Sequence, residues 1–251
     1  MLIRKTLLVA AAVLAFTGIH AQDQTQNADQ GQLLVKAPNV QKRVVGPFHA
    51  IHVSNAIDLV LKQGNEDGVA VSAMDVALRD RIITRVENGV LLIYFETKGF
   101  HMNWVWTDRK IKAFVSFKML DELTASGSSD MYVDGSIQSD NLKIDLSGSS
   151  DFKGAVKVGQ LGLSQSGSSD VKIQGSATNL RIGLSGASDV KGYDLVVDNC
   201  TIDASGSSDV YITVNKELRV AASGSSDVHY KGEAEVVNVR SSGSSSVSKK
   251  G

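Results

Sequence analysis

Residues 126–130 read Ser-Gly-Ser-Ser-Asp, and the same five residues return along the second half of the chain. Further copies occupy residues 147–151, 166–170, 205–209 and 223–227, with Ser-Gly-Ala-Ser-Asp at 185–189 and Ser-Gly-Ser-Ser-Ser at 242–246. Successive glycines of the motif are 18 to 21 residues apart, with a mean near 19. A motif with such a constant period is typical of a repeat protein, in which each copy is one structural unit.

The residues around each motif alternate between apolar and polar. Apolar side chains stand two, four and six residues before the glycine and four residues after it, as Leu142, Ile144, Leu146 and Phe152 do around Gly148. Polar residues occupy the odd positions between them. A period of two indicates strands with one buried face. Each repeat therefore predicts two short strands joined by a tight Ser/Gly turn.

A unit of this size cannot bury an apolar face alone and has to stack on its neighbours. We therefore predict an all-β fold, a right-handed parallel β-helix or solenoid, in which each coil of about 19 residues adds about 4.8 Å along the axis. The alternative is an antiparallel sandwich of strands at about 8–12-residue spacing. One identical turn per coil, rather than one per hairpin, favours the solenoid.

The domain predicted for residues 44–249 divides at the start of the repeats. Residues 121–249 contain the repeats, and residues 44–120 form a less regular β part with alternating stretches at 48–53, 56–61, 69–73, 81–87, 89–95 and 111–117. Asn88-Gly89 is a strong hairpin signal. Residues 74–80 are expected to form at most one helical turn.

The first 43 residues have the composition of an export signal and a leader. Arg4 and Lys5 precede an apolar run at 6–16, which is too short to span a bilayer, and Ala21 offers a small residue for cleavage. We predict a signal peptide over 1–21, with a membrane anchor as the alternative, and a flexible leader over 22–43. The mature chain has no later run apolar enough to cross a membrane, so we expect export to the periplasm, the outer-membrane surface or the medium.

Charge and cysteine content exclude several classes of protein. The net charge of the 251 residues is −1, which does not provide the basic surface that nucleic-acid binding requires. The single cysteine excludes a disulfide framework. Cys200 stands in a column otherwise filled by Leu and Val, so we interpret it as a small buried hydrophobic residue.

The motif places aspartates in an outward column with one member per coil. Glycine provides the left-handed backbone of a sharp corner, and Ser and Asp side chains bind nearby backbone amides. Neighbouring carboxylates repel, and lysines two residues further on offer the simplest neutralisation. Calcium is the alternative counter-charge, although the period differs from that of calcium-binding rolls. The aspartates are Asp130, Asp151, Asp170, Asp189, Asp209 and Asp227.

Two groups of residues are candidates for ligand binding. One is the row that follows the aspartates, Tyr132, Lys153, Lys172, Lys191 and Tyr211, with His229 at its end. The other is the polar-aromatic segment 98–108, which contains Trp104 and Trp106. Aromatic rings anchor interfaces, but the need of a solenoid end for a cover favours a role of this segment as a cap over one as a binding site.

Several stretches outside the repeat indicate a known family. These are 46–54 (Gly-Pro-Phe-His-Ala-Ile-His-Val-Ser), 60–64 (Val-Leu-Lys-Gln-Gly), 82–86 (Ile-Ile-Thr-Arg-Val) and 89–93 (Gly-Val-Leu-Leu-Ile). Together with the serial Ser-Gly-Ser-Ser-Asp turns, they make residues 44–249 resemble the "putative auto-transporter adhesin, head GIN domain" family of secreted Bacteroidetes proteins. The resemblance implies an exported, repetitive all-β domain and brings no established activity, cofactor or catalytic residue.

We therefore expect a non-enzymatic module of the cell envelope that binds a glycan or a surface protein. No H-E-x-x-H, G-x-S-x-G or phosphate-loop motif is present. A carbohydrate-active enzyme on the same scaffold and a purely structural envelope protein are the alternatives. Lys249 and Lys250 discourage strand addition at the last copy, although assembly into a homo-oligomer stays open.

Overall fold

The computed structural model describes residues 37–98 and 110–251 of the chain. These residues form sixteen strands in one sheet and one short helix, α1 (Val76–Arg79). The strands are β1 (Gln41–Arg43), β2 (Ala50–Val53), β3 (Asp58–Gln63), β4 (Gly68–Ser72), β5 (Ile82–Glu87), β6 (Val90–Phe95), β7 (Lys112–Phe117), β8 (Glu122–Ala125), β9 (Met131–Leu146), β10 (Phe152–Gln165), β11 (Asp170–Leu184), β12 (Asp189–Ala204), β13 (Asp209–Ala222), β14 (Asp227–Lys231), β15 (Glu235–Ser241) and β16 (Ser246–Lys249).

The repeats stack as a parallel β-solenoid of about seven turns, which confirms the predicted fold. Strands β9 to β13 pair in parallel with their sequence neighbours, and equivalent repeat positions are hydrogen-bond partners. Leu161, for example, aligns with Leu180, which in turn aligns with Cys200. The apolar positions at even offsets from the glycine consequently stack in columns, and these columns form the core.

The segment predicted to be less regular contributes two coils to the same solenoid. β2 pairs in parallel with β6 on one side and β8 on the other, while β3 pairs with β7 and β9. The coil made by β2 and β3 therefore lies between the coil of β6 and β7 and the first repeat. The predicted less regular part is confirmed, since antiparallel strands and a helical turn interrupt it. Its parallel stacking nevertheless continues that of the repeats, although the Ser/Gly turn sequence does not.

Antiparallel strands extend the sheet at the amino-terminal end of the solenoid. β4 pairs with β7, β1 with β4, and β5 with β6. The Asn88-Gly89 hairpin is confirmed, since φ is 51° and 79° at its two residues. The one helical turn is also confirmed, as α1 with Asp75 as its N-cap. The leader boundary was wrong: residues 41–43 are an edge strand of the sheet, because their backbone pairs with β4 despite polar side chains.

The carboxyl-terminal end of the solenoid is not covered by a further coil of the described residues. All seven residues of β15 are exposed. A register shift after Leu218 places Val236, and not Val237 as the repeat predicted, beside Leu218. Val237 and Val239 are 47% and 44% exposed, so the predicted core columns end before this last coil.

The motif glycines form a column at the corner of each coil. All seven have positive φ, between 74° and 88°. From Gly148 onwards, a Cβ built on each of these glycines would collide with the carbonyl oxygen of the glycine one coil earlier. Glycine is required here for two reasons, the left-handed backbone and the close approach of the stacked backbones.

Candidate functional site

In the first six copies of the motif, the second residue after the glycine is a serine that points inward and is fully buried. These residues are Ser129, Ser150, Ser169, Ser188, Ser208 and Ser226. Their hydroxyl groups bind the turns: the Ser188 backbone N–H donates to Oγ of Ser208 at 3.4 Å, and that hydroxyl donates to the Ser205 carbonyl at 3.2 Å. The predicted role of serine in satisfying backbone groups at the corner is thereby confirmed.

Backbone amides bind the aspartate column from the following coil. The N–H of Asp170 donates to Oδ1 of Asp151 at 3.0 Å, and the N–H of Asp209 donates to Oδ1 of Asp189 at 3.3 Å. Charge-assisted bonds of this kind offset part of the repulsion between stacked carboxylates. Repulsion persists at Asp130, whose pKa is raised by burial and then by the charge of Asp151.

An earlier member of this column lies outside the recognised repeats. Asp58 precedes Leu59, which aligns with Met131, so Asp58 occupies the position of Asp130 one coil away. Burial and the charge of Asp130 raise the pKa of Asp58. Residues 54–58 are thus a divergent copy of the turn, in which Asn55 takes the glycine position with φ of 65°. Asparagine tolerates this conformation, and this tolerance was the signal available in the sequence.

The predicted ligand row is brought together on one outward surface. Pairing between successive coils aligns its members one above another, and the row is Tyr132, Lys153, Lys172, Lys191, Tyr211 and His229. We call the surface formed by these residues and Tyr193 the ladder face. All three lysines are exposed.

The lysines neutralise the aspartates only in part. Lys191 Nζ lies 3.3 Å from Asp170 Oδ2 and 3.8 Å from Asp189 Oδ2, and the hydrogen bond to Asp170 raises the pKa of Lys191. Lys153 and Lys172 form no ion pair with a described residue. Their ammonium groups are therefore available to a ligand.

A cluster of rings forms the carboxyl-terminal part of the ladder face. The rings of Tyr193 and Tyr211 meet edge to face with centroids 5.5 Å apart, and His229 lies 5.0 Å from Tyr211. Lys231 Nζ lies 4.8 Å from the Tyr193 ring centroid, and Nδ1 of His229 is 2.8 Å from Oγ of Ser248. The sequence reasoning missed Tyr193 and Lys231.

The position of Tyr193 results from a bulge. The register shifts between Gly192 and Val196 in the coil that runs from Gly186 to Gly206. This coil has 20 residues where its two predecessors have 19, and that extra residue was the signal in the sequence. Bulges redirect side chains, and the Thr213 hydroxyl holds this one by donating to the Tyr193 carbonyl at 2.8 Å.

A concave surface runs along the side of the turns opposite the ladder face. It is a groove of about 840 Å³, lined mainly by small Ser, Gly and Ala side chains, with Asp145, Asp203 and Arg240 at its sides. The buried Gln165 amide forms part of its floor and can donate to the Ser169 carbonyl at 2.7 Å. The groove offers few large rings or free charges and is the weaker candidate of the two surfaces.

Chemistry at the remaining candidate positions is limited. Cys200 is buried as predicted, and burial raises the pKa of its thiol to about 12. In residues 37–98 and 110–251, no group of three or more His, Cys, Asp or Glu side chains is arranged to hold a metal ion. Trp104 and Trp106 lie outside the described residues.

The fold and the stacked turns agree with the family comparison. The model of the "Putative auto-transporter adhesin, head GIN domain" family matches residues 47–234, about three quarters of the chain. The chain belongs to this family. No curated protein matches the chain significantly.

Three solved structures share the fold. A putative adhesin from Bacteroides fragilis NCTC 9343 is 17% identical with a TM-score of 0.71, over 84% of this chain and 94% of that one. A putative adhesin from Parabacteroides merdae ATCC 43184 is 21% identical with a TM-score of 0.66, over 85% and 96%. A putative lipid binding protein from Parabacteroides distasonis ATCC 8503 is 22% identical with a TM-score of 0.65, over 86% and 98%.

The described residues contain no helix with the length and hydropathy needed to cross a membrane.

Proposed function

We propose that the protein is an exported, non-enzymatic binding module of the cell envelope whose ladder face binds an extended, uncharged glycan. The observation that carries the proposal is the ring cluster of Tyr193, Tyr211 and His229, which continues directly into the exposed lysine row. Tyrosine offers a large, rigid contact area with a polar tip at little entropic cost.

The charges of the ladder face favour an uncharged ligand. Three lysines stand beside six aspartates of the repeat turns, so a polyanionic chain would meet net repulsion. Sugar hydroxyl groups can instead accept hydrogen bonds from the ammonium groups of Lys153 and Lys172 and donate to the free carboxylate oxygens. Burial raises the pKa of Tyr193 and Tyr211, which keeps both phenols neutral as donors.

Repetition of the same groups supports binding rather than catalysis. Aspartate recurs at one position in successive coils, so the carboxylates form a line instead of converging on one reacting atom. The Cys200 thiol is buried and protonated and cannot serve as a nucleophile. Weak contacts repeated on successive coils add up along an extended chain.

The proposal is tested with the purified protein on an array of bacterial and host glycans, followed by titration of each glycan that binds. The combined variant Tyr193→Ala and Tyr211→Ala should weaken binding at least tenfold, since buried aromatic contacts are often worth more than 1.4 kcal/mol. Tyr94→Ala is the matched control, because Tyr94 also packs under a cation, Arg85 at 5.4 Å, on a different strand. Equal losses in both variants, or no glycan bound at all, would contradict the proposal.

A further inference from the structure

The carboxyl-terminal end of the solenoid exposes an unpaired strand. β15 pairs with β13 along one edge, and no described strand pairs with its other edge. At the opposite end the antiparallel strands β1, β4 and β5 extend the sheet beyond the last parallel coil, and β1 is a short edge of three polar residues. An open edge presents a row of free N–H and C=O groups, which is a template for another strand.

Two inward side chains of this strand, Val236 and Val239, are apolar and uncovered, and they share one face because the register shift leaves Val237 without a partner on β13. Val236 continues the column of Leu218, and Val239 continues the column of Val220. Leu218 and Val220 are buried, whereas Val236 and Val239 are 39% and 44% exposed. The last coil therefore has the pattern of a core layer without a layer on top of it.

We propose that β15 pairs in antiparallel orientation with β15 of a second copy of this chain, about a twofold axis between Val237 and Asn238. Opposed residues in an antiparallel pair lie on the same face of the sheet. In this register Val236 lies opposite Val239 of the second copy, so that both inward positions are apolar. A shift by one residue would place the inward Val236 opposite the outward Arg240.

The same register pairs opposite charges. Glu235 aligns with the outward position of Glu217, and Arg240 aligns with the outward Ala221. The twofold axis places Glu235 of each copy opposite Arg240 of the other, which forms two equivalent ion pairs. Neither side chain has an ion-pair partner within the described residues. This strand is thus complementary to itself in charge and in apolar contacts.

A second copy fits this edge because a twofold interface uses the same surface on both partners. The neighbouring edge strand β16 ends at Lys249 and is followed by Lys250. Lysine on an edge deters pairing, which leaves β15 as the strand that associates.

The test measures the oligomeric state of the full chain by analytical ultracentrifugation over a range of concentrations. Glu235→Arg places an arginine opposite Arg240, and Arg240→Glu places a glutamate opposite Glu235, at both symmetry-related contacts of the dimer. Each single variant should therefore weaken dimerisation about tenfold or more. The double variant Glu235→Arg with Arg240→Glu restores both pairs and should restore the dimer. Both positions are exposed, so circular dichroism and the melting temperature should remain those of the parent monomer.

A protein that is monomeric at high micromolar concentration would overturn the proposal. So would a dimer that both single variants leave unchanged, or one that the double variant fails to restore. Loss in each single variant with recovery in the double variant is the result that supports this pairing and this register.

Discussion

Replacement of Gly186 by alanine should destabilise the solenoid by about 3–6 kcal/mol. Gly186 has φ of 88°, in the left-handed region. A Cβ at this position would collide with the carbonyl oxygen of Gly167 and lie 3.1 Å from the Gly167 nitrogen. Both colliding atoms belong to the backbone of the neighbouring coil, so no side-chain rotation can relieve the contact.

Three contributions give this magnitude. A left-handed backbone costs an alanine roughly 1–2 kcal/mol. Forcing an extra carbon between packed layers costs about 1–3 kcal/mol. The Gly167 carbonyl accepts a 2.8 Å hydrogen bond from Ala187, and its displacement costs about 1 kcal/mol more. Such a loss is a large part of the roughly 5–15 kcal/mol stability of a folded domain.

Two other glycines separate the contributions. Gly127 has φ of 79°, but its Cβ would lie 3.5 Å from the Asn55 nitrogen, an ordinary contact. Gly127→Ala should therefore cost only the backbone strain, about 1–2 kcal/mol. At Gly183 a Cβ meets nothing within 4 Å, and the backbone is not left-handed. Gly183→Ala should change stability by less than about 0.5 kcal/mol or raise it slightly.

Equilibrium unfolding in guanidinium, followed by circular dichroism and fluorescence, measures all three variants against the parent. Coincident transitions from the two probes establish that one free energy applies to the whole solenoid. Equal losses for Gly127→Ala and Gly186→Ala would refute the stacking collision. A Gly186→Ala variant within about 1 kcal/mol of the parent would refute both arguments.

Three further predictions concern the turns. Ser208→Ala should cost about 1–2 kcal/mol in the same unfolding assay, because it removes a buried acceptor, while the exposed Ser207→Ala should cost less than about 0.5 kcal/mol. Asp130→Asn should stabilise the protein at neutral pH by up to about 1 kcal/mol. Because the folded-state pKa of Asp130 is raised, ionisation of this carboxyl group destabilises the fold as pH rises through that pKa. The stability advantage of the variant should therefore disappear when unfolding is measured at lower pH. Calcium should leave the melting temperature unchanged, because column carboxylates already accept backbone amides; a shift reversed by chelation would instead indicate a calcium site.

The first coils show why the sequence predicted the repeats better than the rest of the solenoid. The repeated Ser-Gly turn is recognised directly in the sequence, whereas the turn at 54–58 keeps the aspartate as Asp58 but has Asn55 in place of the glycine. The coil of β6 and β7 stacks beyond the coil of β2 and β3, although it comes later in the chain. Such an order is set by hydrogen bonds between distant segments, and no local pattern records it.

The candidate site was predicted in the same incomplete way. A constant period places Tyr132, Lys153 and Tyr211 in one row, and the structure brings them together. Tyr193 was missed because its side chain reaches the row only through a bulge. Lys153 was expected to neutralise an aspartate, but whether two flexible side chains meet depends on geometry that spacing alone does not define.

The sequence by itself determined the β-solenoid, its buried columns and the glycine corner, because strict periodicity forces identical environments upon equivalent residues. Only the tertiary structure decided which coils lie at the ends, which carboxylates are relieved by backbone amides and which rings cluster. Those properties depend on breaks in the repeat: the divergent turn at 54–58, the bulge before Val196 and the uncovered valines of β15. Such a departure from the repeat cannot be recognised from the periodicity of the sequence. Its effect on the position of a side chain is defined only by the contacts between neighbouring coils.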